Sequence, residues 1–182
     1  MRKRLLLALT LVVGVIVFPS SASATVDLLD FQSAVDDMLA VDPTLDPPPN
    51  DGKHDFVVGG FQAAGYNNAI SAHSDPSGQD VFGFETNTAR NGGDKYRSRV
   101  TCLAVAGNVA AYGVVVTHSE SNTLPPGTQF VDVVRDSGLP GGAGDGWTTF
   151  EVPAEDCSLW TPFGSFAPPI ERGNILVHDA QP

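Results

Sequence analysis

The groups that could do chemistry in this chain are few, and most stand apart. The histidines are His54, His73, His118 and His178. His73 lies in Ser71-Ala72-His73-Ser74-Asp75. On a strand Ser71 and His73, two apart, share a face, so hydroxyl and imidazole could meet as nucleophile and base. That chemistry also needs a third group to orient the base, and no G-x-S-x-G elbow occurs. His178-Asp179 could orient a ligand, or join His73 on a metal if their strands meet, but a transition-metal site wants three or four ligands. Asp132, Asp136, Asp145, Glu151, Glu155 and Asp156 gather oxygen around a glycine-rich loop, as calcium would require, yet the D-x-[DN]-x-[DN]-G pattern is absent. Paired-carboxylate chemistry on a glycoside needs a defined spacing between two acids, and no such signal is visible. Arg97 and Arg99 alternate on one strand, and turned inward they would demand an anionic ligand or paired acids. Trp147, Trp160, Phe163 and Phe166 cluster late, either as an exposed platform or as a loop packed over one end of the core and tied there by Cys157. His73, Arg97, Arg99, His178 and Asp179 are therefore the candidate ligand-binding residues. No catalytic residue, metal or cofactor is assigned.

The elements that must position these residues are strands. Apolar or alternating runs occur at 56–61, 69–74, 82–88, 95–105, 109–117, 128–135, 147–152 and 173–178, with Gly and Pro at the junctions. Tyr96, Val100, Cys102 and Ala104 fall on one face of the fourth run. Arg97, Arg99 and Thr101 fall on the other, joined late by Leu103 and Val105. Gly107-Asn108 joins two β-rich runs and reads as a type II′ hairpin turn. The last run, Ile175-Leu176-Val177, matches Phe56-Val57-Val58 in character and is expected to pair with it and seal the sheet. Short strands at this spacing predict an all-β fold, a single antiparallel barrel or sandwich of about eight strands with a short N-terminal helical arm. The arm rests on Leu28, Phe31, Val35 and Met38 at helical spacing, followed by the extended linker Asp46-Pro47-Pro48-Pro49-Asn50-Asp51-Gly52.

Arg2-Lys3-Arg4, an uncharged and mostly apolar run from Leu5 to Phe18, and Ala22-Ser23-Ala24 have the form of a secretory leader. The run is too short for a spanning helix. The expected organisation is a signal peptide over 1–24, an acidic arm and linker over 25–53, and a secreted β domain over 54–182. Removing the leader leaves 7 basic against 21 acidic residues, a charge of −14. Such a charge argues against nucleic-acid or anionic-membrane partners. The only cysteines, Cys102 and Cys157, both lie beyond the leader. In an oxidising compartment they most simply form one disulfide, with free buried thiols or a reactive pair as the alternatives.

Three phrases occur in order: Ser71-Ala72-His73-Ser74-Asp75-Pro76-Ser77-Gly78, Val100-Thr101-Cys102-Leu103-Ala104-Val105-Ala106-Gly107-Asn108 and Gly173-Asn174-Ile175-Leu176-Val177-His178-Asp179-Ala180. Together they resemble a broad set of uncharacterised secreted bacterial β-domain proteins, mostly from high-GC Gram-positives, over roughly residues 55–180. This chain departs from that set at Asp75, where glycine is usual, and at Gly113-Val114, where paired glycines are usual. The resemblance implies a compact secreted β domain and carries no activity. The expected function is a non-enzymatic binding or structural module, monomeric, with a small molecule, glycan or protein as partner. The alternative is a small secreted hydrolase or isomerase using His73 or His178 as general base.

Overall fold

A computed structural model describes residues 54–120, 124–153 and 155–180. The expected leader and helical arm lie outside these residues. Eight strands follow in chain order: β1 (Asp55–Ala63), β2 (Tyr66–Ser74), β3 (Phe82–Ala89), β4 (Lys95–Ala106), β5 (Val109–Ser119), β6 (Gln129–Arg135), β7 (Gly146–Phe150) and β8 (Arg172–His178). The only helical turns among the described residues are short 3-10 segments at Pro140–Gly142, Cys157–Leu159 and Thr161–Phe166. All eight strands form one antiparallel sheet in the order β7-β6-β5-β4-β3-β2-β1-β8. The sheet curls into a half-barrel, so the barrel-like form holds over the two-sheet sandwich.

Local sequence explains the hairpins. Val109 pairs with Ala106 across Gly107-Asn108, and Gly107 takes φ +62°, the positive first position that a II′ turn needs. The β1–β2 connection is tighter than expected. Ala63 pairs with Tyr66 across Ala64 and Gly65, both at positive φ, so β2 starts three residues earlier than the alternation from Ala69 suggests.

Directly paired residues share a face, and this divides the sheet. Val57, Phe61, Ile70, Val100, Leu103, Tyr112, Val114, Val134 and Ile175 are buried on the concave inside. Ala111, Val131 and Val133 are buried on the outside with Cys157. The face assignment of β4 needs a correction. Register shifts between Val100 and Cys102, a bulge that leaves Thr101 unpaired. Tyr96 and Val100 keep the inward parity, but Cys102 and Ala104 turn outward while Leu103 and Val105 turn in. One extra residue thus brings Cys102 to the surface where Cys157 waits. The disulfide Cys102–Cys157 forms across 55 residues of sequence.

β8 pairs with β1 as expected, Val57 opposite Val177 and Val58 opposite Leu176. It does not seal the sheet, because β1 is the only described strand that pairs with it and its other edge meets the loop between β6 and β7. Carboxylates serve that edge instead. Ile175 N donates to Asp145 Oδ2 at 2.8 Å, and Val177 N donates to Asp136 Oδ2 at 3.2 Å. Asp145 is fully buried and also accepts from Ser137 N and Ser137 Oγ through Oδ1. At one end the chain before β8 bridges the gap, with Trp147 N donating to Pro168 O and Ile170 N to Asp145 O.

Two outcomes follow for stability. Removing the carboxylate of Asp145 leaves two backbone amides, Ser137 N and the buried Ile175 N, without an acceptor, while Ser137 Oγ keeps Ala143 O at 2.7 Å, so Asp145→Ala should cost about 3 kcal/mol in urea unfolding. Asp136→Ala should cost about 1 kcal/mol, and equal losses would contradict the seam geometry. Reducing the disulfide should lower stability by roughly 4 kcal/mol on the chain-entropy account, read as a drop in the urea midpoint with and without reductant.

Candidate functional site

Two carboxyls sit inside the half-barrel. Glu85 of β3 and Asp132 of β6 are each 2% exposed. Register builds their surroundings: Ser98 stands opposite Glu85, Tyr96 opposite Asn87, and Asp132 between Tyr112 and Thr149. Tyr112 Oη donates to Glu85 Oε1 at 3.3 Å. Burial raises the Glu85 carboxyl well above the usual range, and the nearby Asp132 charge raises it further, against hydrogen bonds from Asn87 and Tyr112. Burial likewise pushes Asp132 up to about 7, opposed by Thr149 and Trp147, which flank it. Burial first and Glu85 second raise the Tyr96 and Tyr112 phenols. Among the described residues no basic group balances the pair, so the site favours protons where a buried ion pair would hold charge. The side chains of Asn68 and Ser98, on the same inner face, have no protein hydrogen-bond partner.

Trp147 and Thr149 also line an open cleft of about 400 Å³, completed by Ala63, Ala64, Thr148, Pro168, Pro169 and Glu171. Glu171 is held there by Arg90, Nη2 to Oε2 at 2.6 Å.

The residues singled out in the sequence lie on the opposite side of the sheet. His178, Phe56, His73 and Phe82 occupy one rank across β8, β1, β2 and β3 on the outer face. Their rings form a ladder: His178 on Phe56 at 4.8 Å, Phe56 beside His73 at 6.0 Å, His73 on Phe82 at 5.0 Å. Ser71 Oγ does reach His73 Nε2, at 3.0 Å. His73 Nδ1 is buried without a partner, so no acid orients the ring. Burial, and then the neighbouring His54, lowers the pKa of His73. The pair thus has a hydroxyl and a neutral imidazole but lacks the group that would make the imidazole a directed base. His178 Nε2 is likewise buried and unpartnered, and Asp179 Oδ2 accepts from Gly107 N at 2.6 Å, clamping the β4–β5 turn. Arg97 and Arg99 face outward, opposite Thr86 and Phe84, so the inward arrangement that would demand an anion is not adopted.

The acidic loop disperses as well. Asp132 points inward, Asp136 and Asp145 hold the β8 edge, and Asp156 caps its 3-10 turn by accepting from Ser158 N at 2.9 Å. Among the described residues no group of three or more His, Cys, Asp or Glu is placed to hold a metal.

The late aromatics divide. Trp147 packs inside near Phe61. Trp160 packs outside over Phe150 at 4.9 Å and continues to Phe163 at 5.5 Å and Phe166 at 6.4 Å from one ring to the next. Residues 155–167 thereby form a cap over the outer cluster of β4, β5 and β6, fastened by Cys157, with Gly164 pressed against Val109. The cap is not fully apolar inward: Leu159 is 68%, Phe163 41% and Phe166 77% exposed.

Sequence reasoning passed over Glu85. A usable signal existed in Phe130-Val131-Asp132-Val133-Val134, an acid within a continuous apolar strand, which a two-sided buried strand tolerates only with polar company across the core. Glu85 gave no such sign, because Phe82 and Phe84 suggested that the opposite face of β3 points inward.

The raised acids predict a pH effect. Between about pH 4 and pH 7 the folded chain keeps a proton on Asp132 that the unfolded chain, with an ordinary value of 3.8, has released. Stability contributed by this group is therefore full at low pH, falls as pH rises through that window, and levels off above it. Unfolding of Asp132→Asn should lose this slope, so that the wild-type minus variant difference changes by roughly 2–4 kcal/mol between about pH 4.5 and pH 8. A pH-independent difference would place the proton elsewhere.

No family model matches the chain, and neither does any curated protein or solved structure.

Proposed function

We propose that this protein is an exported, non-enzymatic binding module whose recognition surface is the stapled aromatic cap. The leader pattern and the Cys102–Cys157 bond support export; no helix among the described residues is long and apolar enough to cross a membrane. One observation carries the binding reading. The cap is fixed by a disulfide, yet Leu159 and Phe166 turn most of their surface to water and Phe163 two-fifths of its own. An apolar loop that served only to cover the core would bury these side chains. A rigid, exposed run of rings loses little conformational entropy on binding. The outward placement of His73, His118 and His178, away from both the interior acids and the cleft, favours this reading over the general-base alternative.

The ligand class follows from charge. Glu151, Glu155 and Asp156 are exposed beside the rings, and the chain beyond its leader carries −14, so anionic polymers are repelled. A neutral glycan, whose sugar faces stack on aromatic rings, fits. The resemblance to secreted bacterial β domains is consistent with such a task at the cell exterior.

The test is an array of neutral and acidic glycans probed with the full chain. Retention on neutral members should fall about tenfold or more in Phe166→Ala and Leu159→Ser, while both variants keep their unfolding free energy within about 0.5 kcal/mol, as exposed positions do. Failure to retain any neutral glycan, or retention indifferent to both substitutions, removes the reading.

A further inference from the structure

The second outward surface lies across β8, β1, β2, β3 and β4, away from the cap. Its chemistry is unlike the rest of the domain. Residues 54–182 hold only six Lys and Arg against 14 Asp and Glu. Three of those six, Lys95, Arg97 and Arg99, stand on the outer face of the single strand β4, opposite Thr88, Thr86 and Phe84. Arg99 is exposed and meets no ion-pair partner among the described residues. Beside this basic stripe the same face is apolar. Leu176, Val58, Ser71 and Phe84 form one rank across β8 to β3, with Leu176 45% exposed and the others partly exposed. The next rank is the His178-Phe56-His73-Phe82 ladder. An apolar strip edged by cations on an acidic protein asks for an acidic amphipathic partner.

The chain carries one. Residues 25–53 contain seven aspartates and a single lysine. Within them Leu28, Phe31, Val35 and Met38 recur on one helical face, with Asp30, Asp36 and Asp37 on the others. We infer that this N-terminal segment seats in cis on the outer face of β8–β4, its apolar stripe on Leu176, Val58 and Phe84 and its aspartates toward Lys95 and Arg99. Dimensions agree. A helix over Leu28–Met38 would be about 16 Å long, and five adjacent strands span about 19 Å. Residues 43–53 are proline-rich and, if extended, would reach roughly 34 Å, ample to return the helix from His54 at the start of β1 to β4, three strands or about 14 Å away. An isolated helix of 11 residues is marginal in water, so the segment needs a surface to fold upon.

The proposal is tested on the full exported chain, residues 25–182, by amide exchange. The amides of Leu28–Met38 should exchange at least about tenfold more slowly than in a free peptide of residues 25–53. Lys95→Glu with Arg99→Glu should abolish that protection while β4 and β5 amides stay protected, which separates undocking from unfolding. Adding Asp36→Lys and Asp37→Lys to the charge-reversed chain should restore it. Peptide-like exchange of Leu28–Met38 in the wild-type chain overturns the inference. So does protection that ignores the charge reversal, or protection that grows with protein concentration, which would assign the face to a second copy. None of these outcomes depends on whether the cap binds glycans.

Discussion

An open antiparallel sheet has two edges, and here the β8 edge is satisfied by carboxylates. β8 cannot reach β7 along its length, so the outward amides of Ile175 and Val177 lack strand partners. A buried amide without an acceptor costs as much as several surface contacts contribute. Asp145 and Asp136, supplied by the loop between β6 and β7, accept those amides, and Ser137 completes the environment of Asp145. The same solution blunts an edge that would otherwise template pairing with another chain. Closure by acids rather than by a strand leaves a gap at the seam, and the cleft lined by Trp147, Thr149 and Pro168 lies at this part of the molecule.

This seam shows what sequence can and cannot reveal. Strand number, the Gly107-Asn108 hairpin and the β1–β8 pairing were legible, because each depends on local propensity or on similar apolar runs. The task of Asp136 and Asp145 was not. In sequence they belong to an acidic, glycine-rich loop that reads equally as calcium ligand or solvated turn. Only the return of β8 to that loop, 30 residues beyond Asp145, gives the carboxylate its amide. The bulge at Thr101 was hidden for a related reason. Alternation is a period-two rule, and one inserted residue inverts every later side chain. Leu103 and Val105, appearing on what had been the polar face, were its trace.

The inversion has a structural consequence. Without it Cys102 would point inward with Val100, and Cys157 would have to enter the core to meet it. With it, the disulfide lies on the outside and fastens a cap to a second, smaller apolar cluster. The interior is then free to carry polar groups. Glu85 and Asp132 are tolerated there because each keeps a proton rather than a charge across much of the acidic range, and Tyr112, Asn87 and Thr149 supply hydrogen bonds. A protonated buried acid is a costly but neutral core residue, and its cost grows as solvent pH rises. These two carboxyls therefore make the domain more stable in mildly acidic than in alkaline solution.

Charge is unevenly assigned across the fold, and the pattern separates structure from recognition. Asp75, Asp136, Asp145, Asp156 and Asp179 all accept backbone amides, so much of the acidity is spent on turns and edges. Acids in such roles are satisfied and need no cation. The few cations therefore stand out: Arg90 steadies Glu171 at the seam, and Arg135 reaches Gly144 O at 3.2 Å beneath the cap. Lys95 and Arg99, lying outside these structural contacts, share the outer face of the sheet with the partly exposed ring of Phe84 on β3. A domain with this excess of acid nevertheless gathers half its cations on a single strand, as a local basic stripe. Such a stripe favours the approach of an acidic segment over a basic one.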